Sequence, residues 1–119
     1  MSYVDGFVLP VPKNKIKQYK KIATVAGKVW KDHGALQYME CQGDDLKVNE
    51  AWTMAFPTMV KPKKTETIFF SFIVFKNKAH RDKVNKKVMA DPRIQCDPKD
   101  MPMDCKRMAY GGFKGLVEF

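Results

Sequence analysis

The sequence has no run of about 18 apolar residues, the length a helix needs to cross a bilayer. Its longest apolar stretch, Ile68 to Phe75, is broken by Ser71. A membrane partner is therefore not expected. The opening residues, Met1-Ser2-Tyr3-Val4-Asp5, lack a basic segment followed by an apolar one, so no secretory signal is expected. Cysteine is scarce: Cys41, Cys96 and Cys105 are an odd number and form no Cys-x-x-Cys. That disfavours a disulfide framework and points to a reducing, cytoplasmic setting. Histidine is scarcer still, with only His33 and His80. Cys96 and Cys105 bracket an acidic, proline-containing stretch, but zinc sites favour closer cysteine pairs with histidines nearby. The stretch reads as a loop with free thiols, and no metal is expected. No Ser-His-Asp or Cys-His spacing marks a nucleophile, and Gly111-Gly112 lacks the strand-to-helix setting of a phosphate loop. No motif calls for a cofactor.

What is present is apolar residue and lysine. Hydrophobic residues make up 45% of 119, enough for one core and too little chain for two domains. Residues 1–119 are thus expected to form a single domain. The formal charge is +9, carried by 19 lysines and only 3 arginines.

Period and punctuation divide the chain. Tyr3 to Leu9 reads as a strand closed by Pro10 and Pro12. Ile16, Tyr19, Ile22, Ala23, Ala26, Val29 and Trp30 recur as one face of a helix over about Asn14–Asp32, with lysines around the rest and Gly34 as its stop. Ala35 to Gln42 is a second strand. Leu46 to Thr65 is irregular and reads as a long connection with a short edge strand. Glu66 to Phe75 is the strongest strand. Asn77 is placed to cap a helix running to about Met89, with His80 or Arg81, Val84 and Val88 inward and Asp91-Pro92 ending it. Lys106 to Phe119 is the last strand region, where Gly111-Gly112 marks a bulge or a close backbone approach. The order β-α-β-β-α-β predicts an α+β fold of the ferredoxin-like kind, an antiparallel sheet with both helices on one face.

A sheet covered on one side should alternate apolar and polar residues. The third strand does not. Ile68, Phe70, Phe72 and Val74 share one face, and Phe69, Ser71, Ile73 and Phe75 the other. The first strand sets Tyr3, Phe7 and Leu9 against Val4 and Val8, with Asp5 as the exception. Both strands are expected at the centre of the sheet. Two helices cover only one face, and burying one phenylalanine is worth roughly 1.5–3 kcal/mol. A second copy laid sheet to sheet is the economical cover, which predicts a homodimer forming a closed or nearly closed α+β barrel.

The segments Tyr3-Val4-Asp5-Gly6-Phe7, Val29-Trp30-Lys31-Asp32-His33-Gly34-Ala35-Leu36, Ala79-His80-Arg81-Asp82, Val88-Met89-Ala90-Asp91-Pro92-Arg93, Asp97-Pro98-Lys99-Asp100-Met101-Pro102, Lys106-Arg107-Met108 and Tyr110-Gly111-Gly112-Phe113 resemble those of the YbaA-like family. These are small bacterial proteins of undetermined function in the dimeric α+β barrel superfamily. The resemblance spans nearly the whole chain, although Met103 and Cys105 depart from the pattern. It implies the fold and dimer just reached. It implies no activity, because the wider superfamily holds monooxygenases, isomerases, haem-degrading enzymes and stress-response domains, and fold does not choose among them.

Six residues are candidates for chemistry. Asp5, a carboxylate in a central strand, must be paired, hydrated or shifted, and is either a general acid or base or a structural carboxylate. His33, beside the apolar stripe and just before Gly34, either faces a pocket as a proton carrier or caps the helix end. His80 lies in the first turn of the second helix, where it is expected to stay neutral and either pack or touch a ligand. Glu40 in the second strand, Tyr110 in the last and Arg107 at its start are candidate ligand contacts. One pocket holding Asp5, His33, Glu40 and Tyr110 is expected to take a small polar or aromatic molecule.

The fold order also fits an RNA-recognition module, with Tyr3, Phe7, Phe69 and Phe75 on the strands such a module uses. The third strand lacks the basic and glycine positions of that module's motif, and lysine-rich helices usually present a solvated face. Nucleic acid is therefore disfavoured. The expected function is binding or conversion of a small molecule by a homodimer. The alternative is a structural or stress-related dimer without catalysis, and behind both stands an RNA-binding module.

Overall fold

Each strand hydrogen-bonds to its neighbours along nearly its full length, so the fold is built around one sheet. The computed structural model covers Met1–Phe119. Four strands, β1 (Tyr3–Pro12), β2 (Gln37–Gln42), β3 (Glu66–Phe75) and β4 (Ala109–Lys114), lie in the order β2-β3-β1-β4, every neighbouring pair antiparallel. Three helices complete the α+β fold: α1 (Ile16–Asp32), α2 (Phe56–Val60) and α3 (Lys78–Met89). Single turns of 3-10 helix open α1 and punctuate the segment between α3 and β4.

The local chemistry explains the boundaries. The Asn77 side chain accepts from the His80 amide, as an N-cap should, and α3 ends at Asp91-Pro92. Gly34 follows α1 with φ of +113°, a conformation that favours glycine. Within 46–65 the expected edge strand is absent. Pro57, at the start of a turn where its missing N–H costs nothing, begins the short helix α2 instead. The last strand is also shorter than expected. Gly115 donates to the Ser2 carbonyl, and Glu118 accepts from the Ser2 amide and hydroxyl, so the tail folds back beside β1 rather than extending the ladder. Of the two readings of Gly111-Gly112, the close approach is observed: the β1–β4 register is unbroken, and a Cβ on Gly112 would run into the Tyr3 ring.

Register assigns the faces. Tyr3, Asp5, Phe7, Leu9 and Val11 stand beside Phe75, Ile73, Ser71, Phe69 and Thr67 under the helices. Two core clusters form there. Val29, Ala35, Ile73, Phe75, Val84 and Val88 pack where α1 meets α3, and Leu9, Val11, Tyr19 and Phe69 pack under the start of α1. Phe7 touches both. The opposite face carries Val4, Val8, Phe70, Phe72, Val74, Met39 and Phe113, and its one charged strand residue is Glu66, at the far end of β3 and paired with Arg107. The 46–65 excursion covers one end of it, where Phe56 meets Phe70 edge-on and Ile68 is buried. The rest is open: Met39 is 42% exposed and Phe113 63%. Tyr3, Phe7, Phe69 and Phe75, the aromatics that suited RNA stacking, lie on the covered face.

Candidate functional site

The two core clusters do not meet completely. Between them, bounded by the sheet, α1 and the 92–108 segment, lies a cavity of about 460 Å³. Its walls are mostly apolar, with Trp30 and Ala26 from α1 and Met101, Met103 and Met108 from the long segment. The helix contributes small side chains where its face crosses the sheet, so the space is left unfilled.

The polar feature of the cavity comes from β2. Alternation along this edge strand puts Tyr38 and Glu40 on the covered face. Tyr19, on the inward stripe of α1, reaches down to the same carboxylate. Its hydroxyl donates to Glu40 Oε1 at 2.7 Å, and that of Tyr38 donates to Oε2 at 2.6 Å. Gly27 makes room for this: a Cβ there would stand 3.0 Å from the Tyr38 ring. Burial above all pushes both phenols well above the usual tyrosine range, and the hydrogen bonds and charge of Glu40 add to it. Both therefore remain protonated donors at neutral pH. On the other side of α1 the same three residues border a second, more open groove that carries Lys20, Lys28 and Lys31.

Asp5 is elsewhere, under α3. It is 1% exposed and satisfied on both oxygens. Arg81 Nη1 donates to Oδ1 at 2.7 Å; Asn85 Nδ2 and the Tyr110 hydroxyl each donate to Oδ2 at 3.2 Å. Asn85 in turn accepts from Trp30 Nε1 at 3.0 Å, and the Arg81 guanidinium lies over the Tyr3 ring, 4.8 Å from its centre. Burial works against the Arg81 charge, but the hydrogen bond to Asp82 and the charge of Asp5 outweigh it and raise its pKa. Burial and the charge of Asp5 likewise push the Tyr110 phenol up.

The other candidates hold elements together. His33 Nε2 lies 2.8 Å from Asp91 Oδ2, joining the end of α1 to the end of α3. Arg93 grips the same carboxylate and also Asp32. Those bonds, with the Arg93 amide and His33, hold Asp91 well below the usual carboxylate range. His80 Nδ1 accepts from the Lys76 amide at 3.0 Å, and its ring meets Phe75 edge-on. Arg107 makes a bidentate pair with Glu66, 2.7 and 3.0 Å, and reaches the Lys61 carbonyl at 3.2 Å, fastening the 46–65 excursion to the segment before β4. The single pocket expected for Asp5, His33, Glu40 and Tyr110 is therefore divided. Asp5 and Tyr110 are brought together, Glu40 stands in the cavity with other partners, and His33 is tied at the end of α1. Divergence along α1 is the reason: Tyr19 and His33 are almost four turns apart.

A family model described as "Protein of unknown function (DUF1428)" matches residues 2–105. The chain belongs to this family. It is 40% identical over 118 residues to "Uncharacterized protein YbaA" of Escherichia coli strain K12, covering 99% of each chain, and equally similar to the protein of that name in Shigella flexneri. Among solved structures, "De novo designed protein Foldit4" aligns with 99% of this chain and 100% of its own at a TM-score of 0.45 and 10% identity, too distant to carry any argument.

In this DUF1428 chain, the partners that sequence reasoning passed over are Tyr19, Tyr38, Arg81, Asn85, Asp91 and Arg93. Two of them had a signal. Tyr38 shares a face with Glu40 by strand alternation, and Arg81 shares the helical stripe of Val84 and Val88. The Asp91–Arg93 contact is local, with Asp91 capping the turn that Pro92 opens, but the links from it to His33 and Asp32 had no signal, because they depend on how the two helix ends approach.

Proposed function

We propose that this DUF1428 protein is a cytoplasmic homodimer of ferredoxin-like domains, joined through the open sheet face as an α+β barrel, that binds a small molecule between α1 and the sheet. The observation that carries the binding reading is the cavity of about 460 Å³ with one carboxylate among apolar walls, the usual composition of a ligand site. A purely structural dimer would fill that space with Trp30 and the methionines, which instead form its walls. Binding is favoured over conversion, because neither Asp5 nor a histidine stands with Glu40. The dimer is supported by the open part of this face, where Phe72, Phe113, Met39 and Val4 form an apolar surface of the kind that marks a protein interface. No strand position on that face is basic, and Arg107 at its end is committed to Glu66, which also speaks against RNA. No helix is long and apolar enough to cross a membrane.

A thermal-shift screen against a metabolite panel, run on wild type and Ala23→Phe, tests the binding reading. Ala23 lines the cavity, so a phenylalanine there fills it. At least one compound should raise the wild-type Tm and leave the filled variant unmoved. Shifts that survive the filling, or none across the panel, would sink it. Light scattering at micromolar concentration should give twice the chain mass; a monomer overturns the barrel.

A further inference from the structure

The cavity has a charge imbalance. Glu40 receives only neutral donors, the hydroxyls of Tyr19 and Tyr38, one on each oxygen. No lysine, arginine or histidine nitrogen lies within 4.0 Å of it. The cationic side chains around it form no ion pair with it. Arg93 is committed to Asp91 and Asp32, Lys21 is exposed on α1, and the lysines of the neighbouring groove, Lys20, Lys28 and Lys31, are exposed on the far side of the helix, Lys31 donating to the Leu36 carbonyl. Every other acidic side chain buried to a comparable or greater degree has an arginine: Asp5 has Arg81, Glu66 has Arg107 and Asp91 has Arg93. A carboxylate against apolar walls without a counter-charge is costly, and a cation entering the space relieves it. Each carboxylate oxygen can still accept a second hydrogen bond beyond the one from its tyrosine. The aromatic walls of Tyr38 and Trp30, with ring centres 6.0 Å apart, favour a cation for the same electrostatic reason.

Resting on the reading of this cavity as a ligand site, we propose that its ligand is an organic cation, a protonated amine carrying an apolar or aromatic group, with Glu40 as its counter-ion. The ammonium donates to the free lone pairs of Glu40, and the apolar group lies among Phe7, Ile73 and the methionines. Tyr19 and Tyr38 hold the carboxylate in place from the side of the protein. They are positioning residues for it.

Calorimetric titration with three probes of one shape tests this: 2-phenylethylamine, 2-phenylethanol and phenylacetate. The amine should bind at least about tenfold more tightly than the alcohol, and the acid most weakly. Glu40→Gln should weaken the amine by about tenfold and leave the alcohol unchanged, which also shows that the variant is folded. Tyr38→Phe keeps the carboxylate and should retain the preference for amine. If the alcohol or acid binds as well as the amine, or if Glu40→Gln leaves the amine unaffected, the cation proposal is overturned while the cavity stands as a ligand site. If none of the three binds up to millimolar concentration, the proposal is overturned, and the metabolite panel on wild type and Ala23→Phe decides separately whether the cavity reading falls with it.

Discussion

Two carboxylates point up from the same sheet face, and their surroundings differ in kind. Asp5, under α3, is packed to 1% exposure and takes an arginine, an asparagine and a tyrosine. Glu40, beside α1, takes two phenols and stands at the wall of an open space. Both satisfy the requirement that buried polar groups be hydrogen-bonded. Only Asp5 has its charge cancelled within the protein. The difference teaches which kind of buried carboxylate marks a site. A cancelled charge in close packing holds elements together, whereas an uncancelled one beside a cavity leaves work for a ligand. The sharpest way to break this contrast is to remove each in turn.

Asp5→Ala should cost about 3–5 kcal/mol, because it leaves the Arg81 guanidinium, whose side chain is only 14% exposed, with the exposed Asp82 as its one remaining counter-charge. Glu40→Gln keeps its two phenol partners within reach and should cost under about 1 kcal/mol. Urea denaturation at one fixed protein concentration compares them. The double variant Asp5→Ala with Arg81→Met should recover part of the loss, as removing both partners of a buried pair does. Equal losses at the two positions would remove the distinction between them.

Gly27→Val separates the two regions from the other direction. A single Cβ at this position already stands 3.0 Å from the Tyr38 ring, and valine adds two methyl groups. Overpacking of this kind costs about 1–3 kcal/mol. The displacement falls on Tyr38 and Glu40 and leaves Asp5, Arg81 and Tyr110 in place. Proton chemical shifts should move for Tyr38 and Tyr19 and stay put for Tyr110. Movement at Tyr110 would mean that the two carboxylates share one mechanical unit.

How much of this contrast was legible in the sequence depends on the range of the forces involved. Period-two alternation in Ile68–Phe75 and the mixed faces of β1 identified the central strands, because strand periodicity is a local property. Asn77 and Pro92 set the ends of α3 for the same reason. Glu40 and Asp5 could be named as unusual from strand position alone. Tyr38, two residues from Glu40, shares its face by the same alternation, but the partners across the fold could not be named, since Arg81 lies 76 residues from Asp5 and Tyr19 lies 21 from Glu40. Whether a carboxylate is cancelled by the protein depends on which side chains the fold brings across the sheet, and no local pattern records that. The division of the expected pocket has the same origin. His33 sat beside the right stripe, but at an end of α1 where Asp91 rather than the cavity was within reach. The helix α2 was missed because tertiary cover of Phe70 by Phe56, not strand periodicity, organises that stretch.

Asp91 extends the comparison to a third carboxylate, cancelled like Asp5 but near the surface. Its folded pKa lies below its unfolded value, held there first by the Arg93 side chain, then by the Arg93 amide and His33. The folded state therefore releases this proton more readily than the unfolded chain. The stability it contributes is present above the unfolded pKa of about 3.9 and is lost as pH falls below it toward the folded value. Melting temperatures from about pH 6 down to pH 3 should fall more steeply in wild type than in Asp91→Asn, in which that proton is absent. Parallel curves would show that Asp91 is not held by the clasp in solution.

The smallest effect concerns the phenols that hold Glu40. Burial, and next to it Glu40, raises both Tyr19 and Tyr38 above the usual tyrosine pKa of about 10. For an acid raised on folding, the neutral form is the one the fold favours, so the sign is opposite to that of Asp91. The contribution is present below pH ~10 and is lost as pH rises beyond it. Phenolate absorbance followed to about pH 11 should thus exclude these two rings while the protein remains folded. Tyr19→Phe and Tyr38→Phe should leave the amplitude of that titration unchanged, although each removes one of the four tyrosines. In Glu40→Gln the charge that resists ionisation is gone while the burial persists, so the two phenols should begin to titrate earlier but still above the ordinary range. A titration indifferent to Glu40 would show that the carboxylate does not face both rings in solution, and the uncancelled charge that sets it apart from Asp5 would have to be sought elsewhere.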